Sequence, residues 1–150
     1  MMRRIRPFFL FTDISFMLYW AITLIGLIPE SYLFKDYHDP ILMAWNWSFL
    51  PIDLAISASG FASLVLHRRG DSRWRSVALI SLVLTFCSGL QALAFWSLRG
   101  DFDPAWWLAN GYLLLYPLLF IPQLLALPYD KSQRGSARSE PPQRSYSKRR

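Results

Sequence analysis

Residues Trp45–Gly60 read WNWSFLPIDLAISASG and form part of a long apolar run with no basic residue nearby. On a helix, one face of this run collects small and polar residues at spacings of seven, four and three: Asn46, Asp53, Ser57 and Gly60. A carboxylate at bilayer depth costs roughly 2.5–3.5 kcal/mol even on a lenient insertion scale. Asp53 is therefore a candidate functional residue by default.

Apolar segments of membrane-spanning length divide the rest of the chain. Each is near the ~20 residues that cross the ~30 Å of hydrocarbon in a bilayer. Four such segments run from about Phe8 to Ile28, Ile41 to Leu66, Trp74 to Leu98 and Ala105 to Leu127. They lack the polar outer face of a soluble bundle. The sequence therefore predicts an all-α integral membrane four-helix bundle over residues 8–128, with a basic N-terminus at 1–7 and a disordered basic tail at 129–150.

The charges indicate how this bundle is oriented. Of 16 basic residues, three precede the first segment, four join the second and third, and seven lie in the tail, which makes fourteen on one side. Because basic residues favour the cytoplasmic side, both termini are predicted to be cytoplasmic, in a multi-pass protein of the cell membrane. Orientation accounts for the net charge of +6 without a nucleic-acid partner. The tail is expected to associate with anionic lipids.

Pro51 leaves two arrangements open for the second segment. A proline either kinks a helix or begins one. If a kinked helix continues from about Ile41, which we favour, Asp53 lies near mid-depth. If a helix begins at Pro51, Asp53 falls in its first turn and near the outer surface.

Several further side chains are candidates for a pocket around Asp53. By helical rise, Gln91 lies about 22–25 Å and Asp53 about 20 Å from the inner boundary, so Gln91 is predicted to contact Asp53. The mid-span pair Tyr19 and Trp20 is expected to pack on a neighbouring helix or to line a cavity. The predicted binding residues are Asn46, Trp47, Asp53, Ser57, Gln91, Asn110 and Tyr116.

Asp13 is a second acidic candidate, in the first segment. It lies close enough to the inner boundary for water or an N-terminal arginine to reach it. Alternatively, Thr12 and Asp13 cap a helix that begins there. We favour these local roles over a functional one.

Other features carry weaker signals. Ala55, Ser59 and Ser63 repeat every four residues and could pack against a helix of another protein. The single cysteine, Cys87, is expected to be a small buried apolar residue. Asp36, His38 and Asp39 form a weak metal-ligand set, read instead as a solvated turn. No motif for a catalytic centre or cofactor is present, so neither a metal nor a cofactor is expected.

Three runs carry a resemblance to a known family: FFLFTD at Phe8–Asp13, YLFKDYHDP at Tyr32–Pro40 and AWNWSFLPID at Ala44–Asp53. They resemble the YvaD-like family of small bacterial membrane proteins, over residues 8 to about 127. The resemblance implies four membrane spans, and it implies no particular function. In layout alone, with an acidic residue in span two and prolines in span four, the chain is similar to the EXPERA membrane proteins, which include isomerases.

Three functions follow from these patterns. The first is a non-enzymatic protein with a pocket at Asp53 for a cationic or amphiphilic small molecule, because the interior of the spans holds no Lys or Arg to pair with this carboxyl. The second is an EXPERA-like isomerase, which needs a second proton-transfer group. The third is an interaction subunit of a larger membrane complex.

Overall fold

A computed structural model describes residues 1–29 and 36–126. Over these residues the protein is all helical, with no strand. The helices are α1 (Met2–Leu24), α2 (Pro40–Trp47), α3 (Leu50–Arg68), α4 (Trp74–Arg99) and α5 (Pro104–Leu125). α1, α4, α5 and the α2–α3 pair give four units that are long and apolar enough to cross a membrane. The predicted all-α fold with four helical units of membrane-spanning length is confirmed, whereas the tail lies outside the described residues.

Side chains and turns fix the helix ends. Asp39 caps α2 by accepting hydrogen bonds from the backbone N–H groups of Ile41 and Leu42 at 2.8 and 3.2 Å. Asp103 caps α5 by accepting one from Trp106 at 3.0 Å. A proline follows each cap, where its missing N–H costs nothing. Asp39 and Asp103 therefore have structural roles at the starts of these helices.

A two-residue turn just before Pro51 interrupts the second span, Pro40–Arg68. α2 ends at Trp47, Ser48 and Phe49 form a turn, and α3 begins at Leu50 with Pro51 in its first turn. Ser48 and Phe49 keep right-handed helical backbone angles, so the span continues from α2 into α3 with a local distortion before Pro51, which has no N–H to continue the ladder. This agrees with the favoured kinked span. A span that begins only at Pro51 is excluded, because α2 precedes α3, and Asp53 is buried in the first turn of α3.

α1 begins at Met2, earlier than predicted, and contains Pro7 without interruption. A helix that begins at Thr12 or Asp13 is therefore excluded. Met2 and Ile5 are buried in an apolar core at the end of the bundle that also holds Trp74 and Leu124. The first turn of α1 and the last turn of α5 thus lie at the same end of the bundle.

The helices pack as a curved row in the order α1, α3, α4, α5. Two glycines set the close approaches in this row. At Gly60 of α3 an added Cβ would overlap the Asp13 carboxyl of α1. At Gly89 of α4 it would lie 2.6 Å from the backbone nitrogen of Leu114 in α5. α1 and α5 stand at the two ends of the row, and of the four neighbouring helix pairs they make the fewest contacts.

Candidate functional site

A cavity of about 520 Å³ lies inside this curved row. Every helix contributes to its wall, and the wall is mostly aromatic and apolar. The lining residues are Phe11, Thr12, Ser15, Phe16, Tyr19, Trp20, Trp45, Asn46, Phe49, Asp53, Ser88, Ala92, Trp96, Trp106, Ala109, Asn110, Tyr112 and Leu113. Its volume falls within the range of about 300–1,000 Å³ that is typical of small-molecule sites.

Asp53 is the acidic residue of this cavity. Its side chain is 4% exposed. The indole N–H of Trp20 donates to Oδ2 at 2.9 Å, and the hydroxyl of Ser88 donates to Oδ1 at 3.3 Å. Asp53 also stands in the first turn of α3, where the helix dipole favours negative charge. The site is thus arranged to hold an acceptor at a fixed position beside the cavity.

Asn46 supplies the complementary group. The Tyr19 hydroxyl donates to its Oδ1 at 3.1 Å. Its Nδ2 is buried and has no hydrogen-bond partner among the described residues. A buried donor without a partner is costly, and a bound molecule with an acceptor atom would satisfy it. The cavity therefore presents an acceptor and a free donor from two consecutive helices, α2 and α3.

Gln91 is not part of this site. It is exposed on the surface of α4, and Ser88 makes the contact with Asp53 that was predicted for Gln91. The prediction used helical rise, which gives the depth of a residue but not the side of the helix on which it lies. The predicted contact is wrong.

The remaining candidates divide between the cavity and its surroundings. Asn110 lines the cavity, with its Nδ2 donating to the carbonyl of Trp106 at 2.8 Å. Trp47 packs against the ring of Trp20 at a centroid distance of 5.4 Å, outside the lining. Tyr116 is buried and stacks on Phe8 and on Tyr112. Trp47 and Tyr116 thus support the cavity wall without lining it.

Asp13 lies outside the cavity. Its side chain is 0% exposed and packs against Gly60, and the Ser57 hydroxyl donates to its backbone carbonyl at 3.5 Å. Neither carboxyl oxygen has a hydrogen-bond partner in the described part of the chain. Arg3, Arg4 and Arg6 are exposed and make no ion pair with it. The expected contact of Asp13 with water or with an N-terminal arginine is therefore not found.

Sequence reasoning missed Ser88 and did not identify the role of Trp20. Trp20 was expected to pack or to line a cavity, and it does both, but its N–H points at a residue 33 positions away in the chain. Ser88 precedes Gly89 in the middle of α4, and a serine at that place is equally typical of plain helix packing. The sequence positions of Trp20 and Ser88 therefore could not have identified either residue as a hydrogen-bond donor to Asp53.

Three other expectations can be compared with the structure. Ser63 is fully buried and donates to the Gly60 carbonyl at 2.7 Å, so it cannot face another protein, whereas Ala55 is exposed. Cys87 is exposed, contrary to prediction. Asp36 pairs with Arg99 at 2.9 Å, and the described residues contain no cluster of three or more metal-ligating side chains.

Comparison with known proteins identifies the family of the chain. A family model described as "Family of unknown function (DUF5360)" matches residues 5–131. The chain is 57% identical over 124 residues to the protein named Uncharacterized protein YvaD of Bacillus subtilis (strain 168). The aligned region covers 83% of this chain and 93% of that protein. No solved structure matches. The resemblance to the YvaD-like family is confirmed.

Proposed function

The chain belongs to this family of unknown function, and we propose that it is a membrane-embedded binding protein for a small amphiphilic molecule with a cationic nitrogen. The nitrogen would bind Asp53 in the cavity between the helices. The single observation that supports this proposal is the buried Asp53 carboxyl at the wall of an aromatic cavity of about 520 Å³.

The chemistry of the wall favours a cation. A carboxylate and aromatic ring faces both attract positive charge, and aromatic cages are a common means of binding ammonium groups. The lining residues include no Lys or Arg that would neutralise Asp53. The unpartnered Nδ2 of Asn46 favours a ligand with an acceptor atom near its nitrogen.

Binding without catalysis fits this geometry better than isomerisation. Moving a double bond needs one group to deliver a proton and a second to remove one. Among the described lining residues Asp53 is the only acid, and Asp13 packs against Gly60 outside the cavity.

Thermal unfolding of the purified protein against a panel of amphiphilic amines tests the proposal. At least one amine should stabilise the wild type, and Asp53→Asn should weaken that amine's binding at least tenfold. Asp13→Asn is the matched control, because it changes a buried acid of the same bundle outside the cavity. Unchanged binding in Asp53→Asn, or no stabilisation by any amine, would contradict the proposal.

The orientation in the cell membrane is part of the proposal. The charge asymmetry supports cytoplasmic termini, with the Asp36 loop on the opposite side. Reporter fusions after Arg150 and at Asp36 should report opposite sides of the membrane. The same side for both would overturn this topology.

We further propose that the basic residues of 129–150 bind anionic lipid. Removing this segment should leave the thermal stability of the bundle unchanged and reduce binding to vesicles that contain phosphatidylglycerol. A large loss of stability would show instead that the segment packs on the helices.

A further inference from the structure

The wall of the cavity is buried on one side and open on the other. Asp53 and Ser88, on α3 and α4, are buried. Three lining residues on the opposite side are exposed: Phe11, Ser15 and Ala109. Since these three belong to α1 and α5, the cavity opens between those two helices.

The interface between α1 and α5 is built differently from its neighbours. α1 approaches α3 closely at Gly60, and α5 approaches α4 closely at Gly89. Between α1 and α5, by contrast, ring contacts frame the opening. Phe11 meets Tyr112 at a centroid distance of 5.5 Å, and Tyr19 meets Trp106 at 6.3 Å. We name the gap between these two ring pairs, at Ser15 and Ala109, the α1–α5 mouth.

The mouth lies at the depth of the bilayer interior. Ser15 is nine residues from the last residue of α1 and thirteen from the first, or about 14 and 20 Å along the helix axis. In a bilayer with ~30 Å of hydrocarbon, that position faces acyl chains rather than water. A molecule that passes the mouth must therefore first be dissolved in the membrane.

We propose that the cavity is filled from the bilayer through the α1–α5 mouth by an amphiphile whose head group is a titratable amine, which enters uncharged and takes a proton from Asp53. This inference rests on the proposed function and specifies its ligand class and route. An ion that crosses hydrocarbon carries a high cost, which a neutral amine avoids. No Lys or Arg among the lining residues pairs with Asp53, and burying an unpaired carboxylate is costly, so in this proposal Asp53 is the neutral acid before the amine arrives.

The chemical step at the site is the transfer of one proton from Asp53 to the amine. The O–H bond of the Asp53 carboxylic acid breaks and leaves its electron pair on oxygen, while the amine lone pair forms the new N–H bond. The products are a carboxylate and an ammonium ion in contact. Trp20 and Ser88 already donate to the two carboxyl oxygens, at 2.9 and 3.3 Å, and would stabilise the carboxylate that forms.

A matched pair of probes tests the uncharged passage on the wild-type protein. The first is N,N-dimethyldodecylamine with a dibrominated chain, and the second is its N,N,N-trimethyl quaternary analogue. Bromine quenches tryptophan fluorescence, and four tryptophans line the cavity: Trp20, Trp45, Trp96 and Trp106. Protein in nanodiscs is mixed with vesicles that carry the probe. The tertiary amine should quench saturably and at least tenfold faster than the quaternary analogue, and equal rates would overturn the uncharged passage.

Variants at the mouth test the route. Ala109→Phe and Ser15→Phe narrow the mouth from its two sides, and Ala94→Phe adds the same bulk at an exposed position of α4. The mouth variants should slow quenching about tenfold, whereas Ala94→Phe should match the wild type. Wild-type rates in a folded mouth variant would overturn the lateral route. The probe comparison needs no variant, so it stands even if both substitutions disrupt folding.

The outcomes separate this inference from the proposed function. If the amine binds and depends on Asp53, but the mouth variants bind at wild-type rates, the route fails and the binding function stands. If quenching is absent, or is unchanged in Asp53→Asn, the binding function fails.

Discussion

α1 packs on two neighbours in two different ways. Toward α3 it presents Asp13 to the bare backbone of Gly60, and the helices come together closely. Toward α5 it presents aromatic rings, among them Phe8, which packs at a centroid distance of 5.0 Å from Phe120. At the first interface a single carboxyl side chain packs against a glycine backbone, whereas the second is closed by aromatic side chains on both helices.

This difference explains why the cavity lies where it does. Close packing at Gly60 and Gly89 ties α1 to α3 and α5 to α4, so neither pair leaves internal space. Large rings between α1 and α5 hold those helices apart, and the space behind the rings remains open beside Asp53. The close-packed interfaces should control stability, and the ring-closed interface should control access to the cavity.

The largest effect is expected at the close α1–α3 interface. Gly60→Leu forces bulk into the position of the Asp13 carboxyl and should cost about 3 kcal/mol of stability, as overpacking does. Gly111→Leu is the matched control, because a Cβ at Gly111 meets nothing within 4 Å. Thermal unfolding in detergent measures both. Equal losses in the two variants would show that the α1–α3 contact is not close.

A smaller effect is expected at the cavity wall. Asp53→Leu leaves the buried N–H of Trp20 without its acceptor and should cost about 2 kcal/mol. Asp53→Asn keeps an acceptor oxygen at the same place, so it should unfold close to the wild-type temperature. If the two variants are equally stable, the Trp20 hydrogen bond contributes nothing to folding.

The ring-closed interface should tolerate change better. Tyr112→Phe keeps the ring and removes the hydroxyl that lies 3.2 Å from the Thr12 hydroxyl, at a cost of about 1 kcal/mol. Adding Thr12→Val to Tyr112→Phe should cost little more stability, since the two substitutions remove the same hydrogen bond. An additive loss would show that the two hydroxyls do not act together.

The smallest effect is expected at the exposed turn between α3 and α4. Hydrogen bonds from Arg73 hold the pKa of Asp71 below its ordinary value. The ionised form therefore stabilises the turn above the ordinary aspartate pKa of about 4, and this contribution is lost as the pH falls through the lowered folded-state pKa. Asp71→Asn should lower the unfolding temperature only slightly at pH 7, and not at all once the pH is below the lowered folded-state pKa of Asp71. Ser72→Ala, at the exposed neighbouring residue, is the control.

Much of the fold could be predicted from the sequence, and only part of the site. Hydropathy and helical period are local properties, and they placed Asn46, Asp53, Ser57 and Gly60 on one face, where all four are buried. The partners of Asp53 lie 33 and 35 residues away, on helices whose rotation the sequence does not specify. Gln91 was chosen by depth alone and lies on the exposed side of α4.

The sequence by itself determined the four apolar helical units and the polar face of the second, because each depends on residues within one or two turns. The tertiary structure decided that α2 and α3 are separate helices with Asp53 buried between their neighbours. It also decided that Asp53 lines a cavity while Asp13 packs against a glycine. The physical reason is that a cavity depends on how closely pairs of helices approach, and that distance is set by residues of different helices meeting across an interface.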